Sequence, residues 1–283
     1  MANLSSIITD MVQFSYSLST EIYTTHQIHC HNVYEIYYFI EGDADYLVEG
    51  KLYHPAPHSL ILLSPHVFHG VKVNSDQPYL RFTIHFNPDL LNMDRRNLIL
   101  SAFPSNEKHS DKEVYYENTE PYHLYTYFES LVSLNNQPDS IKNQLLPIYI
   151  EAILAQLTIM CHTLRPVQVK VSVSSTITDI IAYLNDNLTE NITLDQLSEY
   201  FFISKYYLNR AFRKATGTTV VDYLIYKRVI FAKQLLMNGH SATEAALKSG
   251  FRDYSVFYRA YRKNLGHSPL VDRRDIPASM KMS

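Results

Sequence analysis

Two apolar periods divide the chain. Up to about residue 90, short runs rich in β-branched and aromatic residues alternate with turn residues. Tyr34-Glu35-Ile36-Tyr37-Tyr38-Phe39-Ile40, Ala44 to Val48 and Ser59 to Leu63 are examples, and the pattern predicts strands. Gly42-Asp43, Glu49-Gly50 and Pro55-Ala56-Pro57 supply the turns. An all-β sandwich or barrel with a central cavity is the natural outcome. From 88 to 164 the period lengthens to that of helices. Pro121 to Leu134 predicts one helix, with Leu124, Tyr127, Phe128 and Leu131 on a stripe. Ser140 to Leu164 predicts a longer one that Pro147 should kink or split. The face carrying Ile141, Leu145, Ile148, Ala152, Ala155 and Ile159 is suited to pack on a neighbour.

Beyond residue 175 the pattern repeats itself. Thr193 to Gly217 reads TLDQLSEYFFISKYYLNRAFRKATG, and Ser241 to Gly266 reads SATEAALKSGFRDYSVFYRAYRKNLG. Each predicts a short helix, a tight turn and a second helix mixing Arg and Lys with aromatic and polar residues. This is a helix-turn-helix, whose second helix enters the DNA major groove. Thr193 with Gln196, Ser241 with Glu244 and Thr219 with Asp222 fit capping boxes. A connecting helix runs from Thr219 to about Met237 and stops at Asn238-Gly239, with Val221, Leu224, Ile225, Phe231 and Leu235 as its apolar stripe. Its length, roughly 27 Å, could hold two recognition helices about one DNA turn apart, near 34 Å.

At these residues the chain resembles the AraC/XylS family of bacterial transcription regulators. Ala245 to Arg259, with its Gly250-Phe251 pair ahead of the second recognition helix, is similar to that family's second motif. Gly266-His267-Ser268-Pro269 resembles its Gly-x-x-Pro ending. The match covers about the last hundred residues. Tyr261 departs from the usual Phe, and Leu270-Val271-Asp272-Arg273-Arg274 from the usual ending. The resemblance implies base contacts by Tyr206, Asn209 and Arg210 in the first motif, and by Tyr254, Ser255, Tyr258 and Arg259 in the second. Arg suits guanine, Asn suits adenine, and an aromatic ring can meet a thymine methyl. Lys205, Arg213, Lys214, Arg262 and Lys263 read as phosphate contacts, the alternative being a solvated basic face. Leu208, Phe212, Phe251, Phe257 and Tyr261 fall on the opposite face and read as core.

Charge agrees with this division. Residues 175–283 hold 15 Lys and Arg against 10 Asp and Glu, and residues 1–174 hold 10 against 18. The basic part suits a polyanion. Cys30 and Cys161 are too few for a disulfide framework, and neither a signal segment nor a run of 18 apolar residues is found. A soluble, cytoplasmic protein with no membrane partner is expected. The expected organisation is α+β in two domains: a barrel with its following helices over 1–164, a linker over 165–175, and an all-α DNA-binding domain over 176–276.

In the first domain, His29-Cys30-His31-Asn32-Val33-Tyr34-Glu35, with Gly42 beyond it, resembles the first cupin motif. Pro65-His66-Val67-Phe68-His69 resembles the close of the second. Regulators of the resembled family use such a domain as an effector sensor, generally without a metal or other cofactor. The odd numbering of His29, His31 and Glu35 turns them the same way along an extended chain. With His69 they offer three imidazoles and a carboxylate, a set acceptable to Zn, Mn, Fe or Ni. Three readings stand together: an organic effector meeting these residues with Tyr37 and Phe39, a metal at His29, His31, Glu35 and His69, or satisfied core histidines. The reading adopted is a DNA-binding regulator, not an enzyme: an activator sensing a small molecule, a sugar first. Its partners are double-stranded DNA, RNA polymerase and, through the helices after the barrel, a second copy. Those helices covering only their own barrel is the equal alternative. A metal-containing cupin enzyme or sensor fused to a DNA-binding part, or a regulator without ligand, are the others.

Overall fold

The computed structural model describes residues 2–23, 26–104, 114–167 and 175–273. The chain divides into two compact units, 1–172 and 173–283. Residues 168–174 of the expected linker, and Arg274 of the expected ending, lie outside the described residues.

The first unit is built on strands β1 (Ala2–Ile8), β2 (Val12–Ser19), β3 (Tyr34–Glu41), β4 (Ala44–Val48), β5 (Lys51–Tyr53), β6 (Ser59–Leu63), β7 (His69–Val73), β8 (Tyr79–Phe86) and β9 (Tyr115–Tyr116). One sheet has the order β1-β2-β8-β3-β6-β9 and a smaller one β5-β4-β7. The strands expected at 34–40, 44–48 and 59–63 are β3, β4 and β6. Glu49 and Gly50 turn the β4–β5 hairpin, both at positive φ.

The large sheet buries both faces, which explains why β3 and β6 read as nearly unbroken apolar runs. Ile36, Tyr38 and Ile40 of β3, with Phe82, Ile84 and Phe86 of β8, face outward into a core shared with helices. Tyr37 and Phe39 face inward with Tyr46, Tyr53, Ile61, Leu63, Tyr79 and Tyr115. Helices α1 (Met93–Leu100), α2 (Leu124–Asn135) and α3 (Asp139–Thr163) follow the barrel. Phe128 of α2 stacks on Phe82 at 5.1 Å, and burying a side chain of that size contributes about 1.5–3 kcal/mol.

The structure corrects one expectation here and narrows two others. The first predicted helix begins at Leu124, because Glu120–Tyr122 is a 3₁₀ turn and His123 takes a left-handed conformation (φ 54°). Pro147 neither splits nor ends α3, which runs as a single element of 25 residues. And α3 turns the other face inward: Leu146, Ile150, Ile153, Leu154, Leu157 and Met160 are buried, while Ile141, Ile148 and Ile159 are exposed. An 18-residue window of α3 has a mean hydropathy of 1.5, long and apolar enough by composition to cross a membrane. Packing of Leu146, Ile150, Ile153, Leu154, Leu157 and Met160 in the outer core accounts for part of that composition, and Ile141, Ile148 and Ile159 remain outside it.

The second unit is helical: α4 (Ser175–Asp186), α5 (Leu194–Tyr200), α6 (Lys205–Thr216), α7 (Val220–Met237), α8 (Ala242–Lys248), α9 (Tyr254–Leu265) and α10 (Pro269–Asp272). The capping boxes at Thr193 and Ser241 are both formed. At Thr219 only half of one forms, since Asp222 returns to the Thr219 hydroxyl at 2.7 Å. The expected stripe of α7 is also corrected. Of its members only Leu224 is buried, and Val221 is half exposed, whereas Val220, Tyr223, Val229, Ile230, Ala232 and Leu236 are buried. The helix serves two cores: Tyr223 packs on Phe212 of α6, while Val229, Ala232 and Leu236 join Phe251, Phe257 and Tyr261. Two cores on one helix leave no single stripe.

Candidate DNA-binding face and effector site

The two recognition helices, α6 and α9, are built alike. Each has 12 residues; Ser204 caps the Tyr207 amide at 3.2 Å and Asp253 the Val256 amide at 2.8 Å. Each ends on a left-handed glycine, Gly217 (φ 74°) and Gly266 (φ 78°), a conformation that costs glycine no Cβ clash. Between caps, the inward positions are filled by Leu208 and Phe212 in α6 and by Phe257 and Tyr261 in α9, all fully buried. This leaves the outer faces polar, basic and aromatic.

On those faces lie the residues read from sequence. Tyr206, Arg210, Tyr254, Ser255 and Arg259 are exposed, with Tyr206 at 76 %, whereas Asn209 and Tyr258 are half-buried. Tyr206, Asn209, Arg210 and Arg213 line one groove of about 640 Å³, whose other wall is Leu194, Thr219 and Val221. Lys205 is exposed but ion-paired with Asp195 of α5. Arg213, Lys214, Arg262 and Lys263 occupy last turns, where a cation also complements the helix dipole. Val256, not among the residues expected from sequence, is an apolar side chain left exposed on α9 beside Ser255.

Gly250 holds the second motif against the rest of the unit. It closes α8 at φ 87°, with its amide on the Leu247 carbonyl. A Cβ there would stand 2.8 Å from the Thr189 carbonyl oxygen. Arg228 of α7 donates to the carbonyls of Leu188 at 2.7 Å and Glu190 at 2.5 Å, so this segment is pinned from two sides. The Tyr261 hydroxyl donates to Asp272 at 2.6 Å. Tyrosine at this position is therefore matched to the aspartate of the unusual ending.

In the barrel, Glu35 is the centre of a polar cluster. His31 Nε2 and His69 Nε2 each lie 2.9 Å from its Oε2, and His85 Nε2 lies 3.5 Å away. Tyr46 donates to its Oε1 at 3.2 Å. His29 sits at the rim, its ring edge-on to His69 at 4.4 Å. His29 and His31 do not share an extended strand with Glu35, as alternation assumes; they lie in a loop ahead of β3, tied to β7 by paired backbone bonds between His29 and His69. Burial alone would raise the Glu35 carboxyl, but the His69 charge and hydrogen bonds from His31, His69 and His85 hold it well below the usual range. Burial would lower His69, and Glu35 reverses this and raises it. Burial also lowers His29.

Tyr37 and Phe39 belong to a deeper layer. Tyr37 packs on Tyr46 at 4.4 Å and its hydroxyl meets that of Tyr79 at 2.7 Å, while Phe39 stands against Tyr79. The structure thus brings His29, His31, Glu35 and His69 together, places Tyr37 one neighbour away, and leaves Phe39 in the packed interior. It adds His85 and Tyr46. His85 is the direct cross-strand partner of Glu35 on β8, and only the strand register shows it.

Comparison with known proteins bears on both units. The AraC-like ligand binding domain family matches residues 16–131, and the Helix-turn-helix domain family matches residues 197–275. The transcriptional activator AarP of Providencia stuartii is 31 % identical over 101 residues, covering 35 % of this chain and 75 % of AarP. The chain belongs to the AraC family of transcription regulators. The bifunctional transcriptional activator/DNA repair enzyme AdaA of Bacillus subtilis is 30 % identical over 110 residues, which are 38 % of this AraC-family chain and 52 % of AdaA. The match thus spans about half of that relative's length. ToxT of Vibrio cholerae is similar over 93 % of this chain and 97 % of its own at 13 % identity and a TM-score of 0.37.

Proposed function

We propose that this AraC-family protein is a sequence-specific DNA-binding transcription activator whose barrel senses a small molecule. One observation carries the reading: two like recognition helices, joined by α7, present Tyr206 with Arg210 and Tyr254 with Arg259 above a closed apolar core. The roles follow chemically. Arg210, Asn209 and Arg259 read base edges, Tyr206, Tyr254, Ser255 and Tyr258 shape the contact, and Arg213, Lys214, Arg262 and Lys263 hold phosphates. Lys205 joins them once it leaves Asp195.

For the effector we infer a hydroxyl-bearing molecule, a sugar first, at the barrel mouth around Glu35, His29, His31, His69 and His85, with Tyr37 behind Tyr46. A carboxylate and several imidazoles suit hydroxyl groups. We infer a homodimer through the exposed α3 face of Ile141, Ile148 and Ile159, since an apolar stripe on a helix is the usual mark of an interface. The output partner is RNA polymerase.

The test is selection of a binding site from random duplexes, followed by affinity measurements with Arg210→Ala and Arg259→Ala. Each should cost about 1–3 kcal/mol at the selected site; unchanged affinity for both removes the assignment. Transcription indifferent to every sugar tried would remove the sugar.

A further inference from the structure

The outer face of α9 carries one side chain that can make no hydrogen bond. Ser255, Arg259, Arg262 and Lys263 are exposed and polar, and among them stands Val256, 46 % exposed. Its place on the helix is well defined. Phe257 and Tyr261, fully buried, mark the inner face. At about 100° per residue, Val256 lies roughly 60° from Arg259 and roughly 120° from that inner face. It therefore shares an outer ridge with Arg259, one turn on, and with Lys263, a further turn on. The first recognition helix has the same ridge, in which Tyr207, 44 % exposed, precedes Arg210 and Lys214 at the same spacing. Neither Tyr207 nor Val256 is among the base contacts that the family resemblance implies.

Val256 is also held still before anything binds. Its amide donates to Asp253 Oδ1 at 2.8 Å, which fixes the backbone at the helix start. A β-branched side chain in a helix keeps essentially one χ1 rotamer. A contact made through it therefore loses little conformational entropy. Lysine, glutamine or alanine would each serve the helix better at an exposed position, so helix formation does not account for valine here.

We propose that Val256 is a specificity residue that recognises the 5-methyl group of a thymine in the half-site facing α9. That methyl is the one apolar group on the base edges of the major groove, and a side chain without donor or acceptor has nothing else there to distinguish. Cytosine in its place would set an amino donor against valine and leave it unpaired. Residues three apart on a groove-reading helix meet successive bases, so the thymine lies next to the guanine assigned to Arg259. Arg259 then supplies the hydrogen bonds and Val256 the shape beside them. The proposal rests on the DNA-binding reading and deepens it, by naming a base and the group on that base.

The experiment uses the full chain and the duplex it selects from a random pool. Each thymine of the selected site is replaced in turn by deoxyuracil, which lacks only the methyl, and affinity is measured by fluorescence anisotropy at one salt concentration. The neighbouring guanine is the one whose replacement no longer weakens Arg259→Ala. Loss of the methyl beside it should weaken the wild type about fourfold, the fold-change for about 0.8 kcal/mol of one buried methylene. Val256→Ala should bind the thymine and uracil duplexes equally, with an unchanged salt dependence because no phosphate contact is lost. Alanine is the better helix former at this exposed position, and a melt of each protein checks the fold. Wild-type affinity unchanged at every uracil overturns the proposal without recourse to any variant. So does a uracil penalty that survives in Val256→Ala. A chain that selects no site overturns the DNA-binding reading itself, whereas a selected site with no methyl-sensitive thymine overturns this proposal alone.

Discussion

Replacing Gly250 by alanine tests whether the close approach to Thr189 sets the stability of the second motif. Two costs add there. A left-handed conformation costs an L-residue about 1–2 kcal/mol, and φ at Gly250 is 87°. The new Cβ would meet backbone, 2.8 Å from the Thr189 oxygen and 2.9 Å from its Cα, and such overpacking costs about 1–3 kcal/mol more. Alanine also stiffens the unfolded chain, which returns about 0.4–1 kcal/mol. The net expectation is a loss of about 2–4 kcal/mol. Gly266 is the built-in control: φ is 78° but nothing lies within 4 Å of an added Cβ, so Gly266→Ala should show the strain alone. Hydrogen exchange of amides in 242–265 reads both, because local opening speeds exchange in proportion to the lost stability. Gly250→Ala should accelerate it by about 30- to 900-fold, since each 1.36 kcal/mol is a factor of ten. If the two variants accelerate exchange equally, the Thr189 contact contributes nothing and the reasoning is wrong.

Other outcomes follow from single contacts. Tyr261→Phe leaves the largely buried Asp272 carboxylate without its 2.6 Å donor and should cost about 1.5–3 kcal/mol by denaturant titration; a change under half a kcal/mol, at roughly 0.5 or less, would refute the match between tyrosine and ending. Phe202 is 93 % exposed at φ 54°, so Phe202→Asn gives up little packing and should stabilise by about 0.5–1 kcal/mol; a lower melting temperature would contradict this. Ser241 hydrogen bonds depress the Glu244 carboxyl below its ordinary 4.5. Its contribution is therefore present above that value and lost as pH falls through the folded pKa. Glu244→Gln should melt with a shallower acid dependence, and an unchanged acid limb would show that the capping box carries no charge component.

Local chemistry was the most legible part of the chain. Thr193 and Ser241 act on amides within a few residues, so sequence spacing states the geometry of their capping boxes almost completely. The strands of the barrel were legible for the same reason. The faces of α3 and α7 were not. Both are apolar on more than one side, so periodicity offers rival stripes, and only the surface each helix meets decides between them. For α3 the core shared with α1, α2 and the large sheet selects Leu146, Ile150 and Leu157 over Ile141, Ile148 and Ile159. At the barrel mouth, motif spacing grouped His29, His31, Glu35 and His69, but His85 is fifty residues from Glu35 and joins it only through the pairing of β3 and β8. Phe39 was misplaced because alternation fixes a side, not a depth.

The connecting helix α7 has a consequence for the DNA as much as for the protein. Its first turns are embedded in the packing of one motif and its last turns in that of the other, so the separation of α6 and α9 is set by 18 residues of hydrogen-bonded backbone. Domains joined by a slack tether follow their half-sites when base pairs are inserted, and a full turn of ten restores phase. Here the two words of the operator are read by a ruler. Any inserted base pair, a whole turn included, should break the sentence.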